Sequence, residues 1–202
     1  MRSAAKTINF GVLYGMSPHG LAAATGMNFT QAKSFIDEYF KVRAPLLGYL
    51  NGLKEQAKNN GYVETLLGRR RPMPDIHSSN FMVRSGAERA AMNMPIQGTE
   101  ADLMKLAMVA VERKLTEVFC HPERSRGISS DSSANEISRQ ARDDNSRPCQ
   151  LLQIHDSILV ECAEEDAEAV ADILKTTMEA IYPDLPVKLA VDTSIGDNWG
   201  EL

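Results

Sequence analysis

Arg2, Lys6, Phe10 and Tyr14 follow one another at intervals of four in this sequence. On an α-helix each such step turns about 40° past a full revolution, so all four share one face. Two cations one turn apart suit a polyphosphate, and an aromatic ring one turn further suits a sugar and base. Basic pairs at this spacing are also common on solvated helix faces, so the pattern alone leaves both readings open.

Three further groups carry chemistry. His155-Asp156 stands between two short apolar runs, Gln150–Ile154 and Ile158–Glu161, which reads as a β-hairpin with a polar tip. A carboxylate on a rigid turn suits Mg²⁺, which takes one or two carboxylates together with phosphate oxygens. Two-metal phosphoryl transfer needs at least a pair of such carboxylates. Aspartate also favours turns for backbone reasons alone. Arg89, Asn93 and Gln97 are again four apart, around Pro95. Their guanidinium and amide groups can donate to minor-groove acceptors and sugar oxygens of a duplex, or simply cap a polar helix end. Arg69-Arg70-Arg71 forms an exposed basic run before Pro72.

The elements that must position these groups can be read along the chain. A helix is expected over 2–14, stopping at Gly15. A second runs from an N-cap at Thr30 to Val42, with Phe35, Ile36, Tyr39 and Phe40 as its apolar stripe. A third starts near Pro45 and ends by Asn59, before Gly61. Residues 61–68 read as a short strand or hairpin arm bounded by glycines. Helices over 79–93 and 98–119 are separated by a break at Pro95. Residues 120–149 are polar, with almost nothing to bury, and read as a disordered insertion. After the hairpin come an amphipathic helix over 164–182 and a closing strand over 187–195.

Composition narrows the class. The 202 residues are 43% hydrophobic and 24% charged, as in soluble globular proteins. No apolar run is long enough to span a bilayer, and Met1–Lys6 lacks a signal-peptide core, so a cytoplasmic, non-membrane protein is expected. Cys120, Cys149 and Cys162 fit neither a disulfide framework nor a zinc site. The net charge of −5 is unevenly spread: +5 over residues 1–119, zero over 120–149 and −10 over 150–202. A basic front and an acidic back suit a protein that grips phosphates with one part and cations with another, and equally describe a bipolar surface.

Taken together, the motifs resemble those of the bacterial DNA polymerase I family (family A). Arg2-x3-Lys6-x3-Phe10-x3-Tyr14-Gly15 is similar to its motif B, the nucleotide-binding helix of the fingers. Gly61-Tyr62-Val63-Glu64-Thr65 with Gly68-Arg69-Arg70-Arg71 resembles the segment after the fingers. Asn93-Met94-Pro95-Ile96-Gln97-Gly98-Thr99 with Ala101-Asp102-Leu103 resembles the primer–template contact region, and Gln153-Ile154-His155-Asp156 resembles motif C. They occur in the family's order and cover the chain except for the insertion. A single-subunit RNA polymerase shares a similar motif B, but the segment from Asn93 to Asp102 favours the DNA enzymes.

The resemblance implies template-directed DNA synthesis in replication and repair, from deoxynucleoside triphosphates on primer–template DNA, by a parent enzyme that is a monomer. It implies that Arg2 and Lys6 bind the triphosphate, Lys6 taking part in catalysis with Asp156. Phe10 would face the incoming sugar and base, with discrimination against dideoxynucleotides, and Tyr14 would hold the template-base position. Arg89, Asn93, Gln97 and the run Arg69, Arg70 and Arg71 would contact DNA, His155 would lie near the primer terminus, and Asp156 would bind Mg²⁺. Motif A, which brings the second metal-binding aspartate, does not occur in the sequence, so the chain by itself is expected to be inactive. The alternative is a non-catalytic DNA-binding remnant. Ser157 replaces the family's usual glutamate after His-Asp, a tolerable change at an accessory position. The implied fold is α+β. A fingers-like helical part covers 1–97, and a partial palm with a small antiparallel sheet covers 98–119 and 150–202, its sheet built from the hairpin and the 187–195 strand. An unpaired sheet edge and exposed apolar surface lead us to expect poor solubility.

Overall fold

The computed structural model describes residues 2–119 and 147–202, with side chains from residue 8 onward. It forms two compact units, residues 1–99 and 100–202. The fold is α+β, with two separate two-stranded antiparallel sheets. Among the described residues no helix is long and apolar enough to cross a membrane.

The first unit opens with α1 (Arg2–Leu13), which ends as the glycine predicts. α2 (Pro18–Thr25) was not expected, because eight residues rich in alanine show little apolar periodicity. Its signals are local: Ser17 accepts the Gly20 N–H at 3.2 Å, and Pro18 opens the first turn. α3 (Phe29–Val42) is capped by Asn28 rather than Thr30. A capping box decides it, with the Gln31 N–H donating to Asn28 Oδ1 at 2.8 Å and the Asn28 N–H donating to Gln31 Oε1 at 3.1 Å. Val12, Leu21 and Ala32 bury together, so the side of α1 away from Phe10 is its packing side.

α4 (Ala44–Asn60) leads into the ribbon of β1 (Tyr62–Glu64) and β2 (Arg70–Pro72), paired Tyr62↔Pro72, Val63↔Arg71 and Glu64↔Arg70. Val63 packs with Ala57, Met73, Ile76 and Ala91 in a second cluster. This joins α4, the ribbon, a 3₁₀ turn over Pro74–His77 and the long helix α5 (Phe81–Phe119). The expected break at Pro95 does not occur, and α5 runs straight through it. Proline deletes one helical N–H, but Pro95 is itself buried between buried Met92 and the turn at Gly98, where tertiary partners hold the backbone in helical form.

In the second unit Val111 and Leu115 of α5 pack on Val170 of α6 (Ala167–Glu179), which follows a 3₁₀ turn over Glu164–Asp166. The helix expected over 164–182 is therefore shorter at both ends. β3 (Cys149–Ile154) and β4 (Ser157–Glu161) make the foreseen hairpin, with a bulge between Gln150 and Leu152. The expected strand over 187–195 is absent, and the sheet stays two-stranded. Its alternation meets no ladder; the Val191 N–H donates instead to the Glu179 carboxylate at 3.2 Å. The insertion reading falls mostly on residues 120–146, which lie outside the described residues. Its last three positions are held in the fold: Arg147 donates to Thr116 Oγ1 at 2.6 Å and Glu112 at 3.2 Å, Pro148 is buried, and Cys149 starts β3. Cys149 and Cys162 are free thiols.

Candidate functional site

The face proposed to receive a nucleotide is carried by α1. Arg2 and Lys6 lie on its backbone at helical spacing; their side chains are outside the described set. Phe10 and Tyr14 do stand one turn apart and stack, with ring centroids at 6.4 Å and planes 16° apart. Phe10 is half exposed, at 52%. Tyr14 lies just past α1, yet its N–H still donates to the Phe10 carbonyl at 3.1 Å, which keeps it on the stripe.

Gly15 then turns the chain with φ of 82°. A Cβ there would meet the Met92 methyl at 2.8 Å and Arg89 Cγ at 3.3 Å. Two constraints, a left-handed backbone and a close approach, thus both demand glycine. The end of α1 rests against the turn of α5 that bears Arg89, so two constellations distant in sequence become neighbours. Because α5 continues past Pro95, Arg89, Asn93 and Gln97 remain on one face; an actual break would have turned Gln97 away. Arg89 is exposed and donates to Ser85 Oγ at 2.8 Å. Asn93 is partly buried, and its Oδ1 has no hydrogen-bond partner among the described residues. Gln97 is exposed.

Sequence reasoning missed how the ribbon is fastened to this helix. Gly98 lies in the interior of α5, where glycine costs roughly 1 kcal/mol against alanine and asks for a reason. The reason is Thr65, the one buried polar residue among those described, whose Cγ2 would sit 2.7 Å from a Cβ at 98. Arg69 Nη2 donates to the Gly98 carbonyl at 2.9 Å. Thr99 Oγ1 donates to the Pro95 carbonyl at 2.5 Å and accepts the Leu66 N–H at 2.9 Å. The Arg69 N–H closes the loop by donating to Thr65 Oγ1 at 3.1 Å. The turn 65–69 is thereby latched to the helical turn 95–99, directly below Gln97. Arg69, Arg70 and Arg71 are all exposed on this ribbon.

In the second unit His155 and Asp156 form the hairpin tip, and both are exposed. His155 has φ of 52°, the only positive value for a non-glycine among the described residues. Histidine tolerates this region better than most side chains, and such outliers gather at functional sites. The Gln153 side-chain amide donates to the His155 carbonyl and braces the tip. The described residues contain no cluster of three or more His, Cys, Asp or Glu able to hold a metal.

A sequence model of DNA polymerase family A matches residues 1–201. The chain belongs to this family. It is 42% identical over 199 residues to "DNA polymerase I, thermostable" of Thermus aquaticus, covering 98% of the chain and 20% of that protein. It is 40% identical over 198 residues to DNA polymerase I of Deinococcus radiodurans, covering 98% of the chain and 18% of that protein. Among solved structures it is similar to the "POL domain of Pol1 from M. smegmatis complex with DNA primer-template and dNTP". The TM-score is 0.72 at 33% identity, over 90% of this chain and 28% of that one. The chain spans about a fifth of the length of the curated relatives it matches.

Proposed function

We propose that these residues are the part of a family A polymerase domain that grips the incoming nucleotide and the primer–template duplex, serving DNA synthesis in replication and repair. The observation that supports this most is the seating of Gly15 against Arg89 and Met92. It joins the Phe10–Tyr14 ring pair to the helix face of Arg89, Asn93 and Gln97, so a base held by the first would lie beside a duplex end held by the second. Arg2 and Lys6 would take the triphosphate, neutralising charge that grows in the transition state. Phe10 would meet the sugar and base, and Tyr14 the template position. Asn93, with an unpaired buried oxygen, gains from a hydrogen-bond donor on the DNA. The arginine run 69–71 lends positive charge to the same grip, and His155 would lie by the primer terminus. Residues 1–97 fit the role of fingers, and 98–119 with 150–202 that of a palm.

Mg²⁺, when bound, stabilises both the attacking and the leaving oxygen of the displacement. Asp156 would be one of its ligands, and these residues alone do not complete its site. The purified 202-residue chain should therefore bind duplex DNA, with affinity falling as salt rises, yet extend no primer. Robust extension by the chain alone would overturn this reading. The second reading is a DNA-binding remnant with no catalytic partner, since the sequence carries no motif A to bring a second metal-binding aspartate. Adding the preceding part of a relative's polymerase domain separates the two: restored extension supports the first, duplex binding without extension the second.

A further inference from the structure

The three consecutive arginines of the ribbon are held in three different ways. Arg70 lies across from Glu64, and its Nε donates to that carboxylate at 3.2 Å. Its guanidinium also sits 4.6 Å from the centre of the Tyr62 ring. Tyr62, Glu64 and Arg70 share one face of the ribbon, as period-2 alternation requires. A phosphate approaching Arg70 meets a charge already offset by Glu64. Arg69 is committed to the latch, with its guanidinium on the Gly98 carbonyl and its N–H on Thr65. Arg71 stands on the opposite face, paired across the ribbon with Val63, which is fully buried. Its backbone is fixed by that pairing, while its side chain is exposed and makes no hydrogen bond, ion pair or ring contact among the described residues. An uncommitted guanidinium offers a phosphate its donors and its full charge.

We propose that the three arginines divide their work. Arg71 supplies the phosphate contact to duplex DNA; Arg70 is neutralised within the ribbon; Arg69 is a positioning residue that sets the ribbon against the helical turn carrying Gln97. This rests on the duplex-binding reading above. It adds that one arginine of the three carries the salt dependence.

Each phosphate neutralised by a cation contributes roughly −0.9 to the slope of log affinity against log salt on B-form DNA. The test is a salt titration of binding between the whole chain and a fluorescent duplex, read by anisotropy. Arg71→Ala should make the slope shallower by about one, and Arg71→Lys should restore it. Arg70→Ala should leave the slope unchanged. Thr99→Val removes the hydroxyl that holds the Leu66 N–H, loosening the turn that carries Arg69 without touching a charge. It should weaken binding at every salt concentration with no change of slope, and Thr99→Ser should recover it. Circular dichroism confirms that each variant is folded. A slope lost equally in Arg70→Ala and Arg71→Ala, or kept in Arg71→Ala, overturns the division of labour while leaving duplex binding in place. A folded, unaltered chain with no salt-dependent binding overturns the duplex reading and the division together.

Discussion

The described residues contain two antiparallel ribbons, one of three-residue strands and one of six- and five-residue strands, with opposite settings. The first, β1–β2, is clamped on the inside: Val63 is fully buried, Thr65 is buried, and the turn 65–69 is latched to α5 by side chains. The second, β3–β4, is open. Leu151, Leu152 and Ile154 are 54%, 42% and 38% exposed, and His155 and Asp156 project at its tip. The first ribbon fixes backbone so that outward groups are aimed. The second carries its polar tip on strands whose apolar side chains Leu151, Leu152 and Ile154 stay partly in water. The two ribbons are thus supported at different strengths in one chain.

The difference is sharpest in a pair of isoleucines. Ile76→Ala, in the cluster beneath the first ribbon, should cost about 2–5 kcal/mol through lost burial and a residual cavity. Ile154→Ala, beside the open tip, should cost about 1 kcal/mol or less, since much of that side chain is already in water. Urea unfolding of the two variants measures both, and equal losses would erase the distinction. A smaller effect is expected at the latch. Gly98→Ala forces a methyl into Thr65 Cγ2 and should cost about 1–3 kcal/mol. Thr65→Ser removes the obstructing methyl but keeps the hydroxyl, so the double variant should recover part of that loss. A strictly additive pair would show that the close approach does not limit the site.

The smallest expected effect concerns the Cys149 and Cys162 thiols, both at the base of the second ribbon, away from its tip. Burial, then the Asp166 and Glu161 carboxylates, hold the Cys162 thiol above its ordinary value of 9.0. Its folded form keeps the proton longer than its unfolded form. The resulting stability is present below that ordinary value and is lost as pH rises through the folded one. Cys149 is exposed, so iodoacetamide should label it first, with Cys162 lagging as pH is raised. Labelling of Cys162 at the same rate would place that end of the ribbon in open solvent.

Much of the fold was legible because its signals are local. The period of α1, the glycines at 15 and 61, the apolar runs flanking His155-Asp156 and the order of the motifs all sit in contiguous residues, and the structure carries each of them. Some errors were local, such as the unforeseen α2 and the cap at Asn28; others fell where tertiary context overruled a local rule. Pro95 should stop a helix, but it is buried and α5 continues through it, with the next turn held by the Arg69 guanidinium on the Gly98 carbonyl. Residues 187–195 alternate as a strand should, but no ladder receives them and the Glu179 carboxylate takes the Val191 N–H.

The sequence by itself determined which side chains could do chemistry and on which elements they ride, because helical and strand periods depend only on local backbone geometry. It also determined the family, since motif identity and order are linear properties. Only the tertiary structure decided that Gly15 seats α1 on Arg89, that Gly98 admits Thr65, and that Arg69, Arg70 and Arg71 have unequal partners. Apart from the hairpin partners of Arg70, those are contacts between residues tens of positions apart. No local pattern encodes them, because they arise from which surfaces pack once apolar side chains have been removed from water.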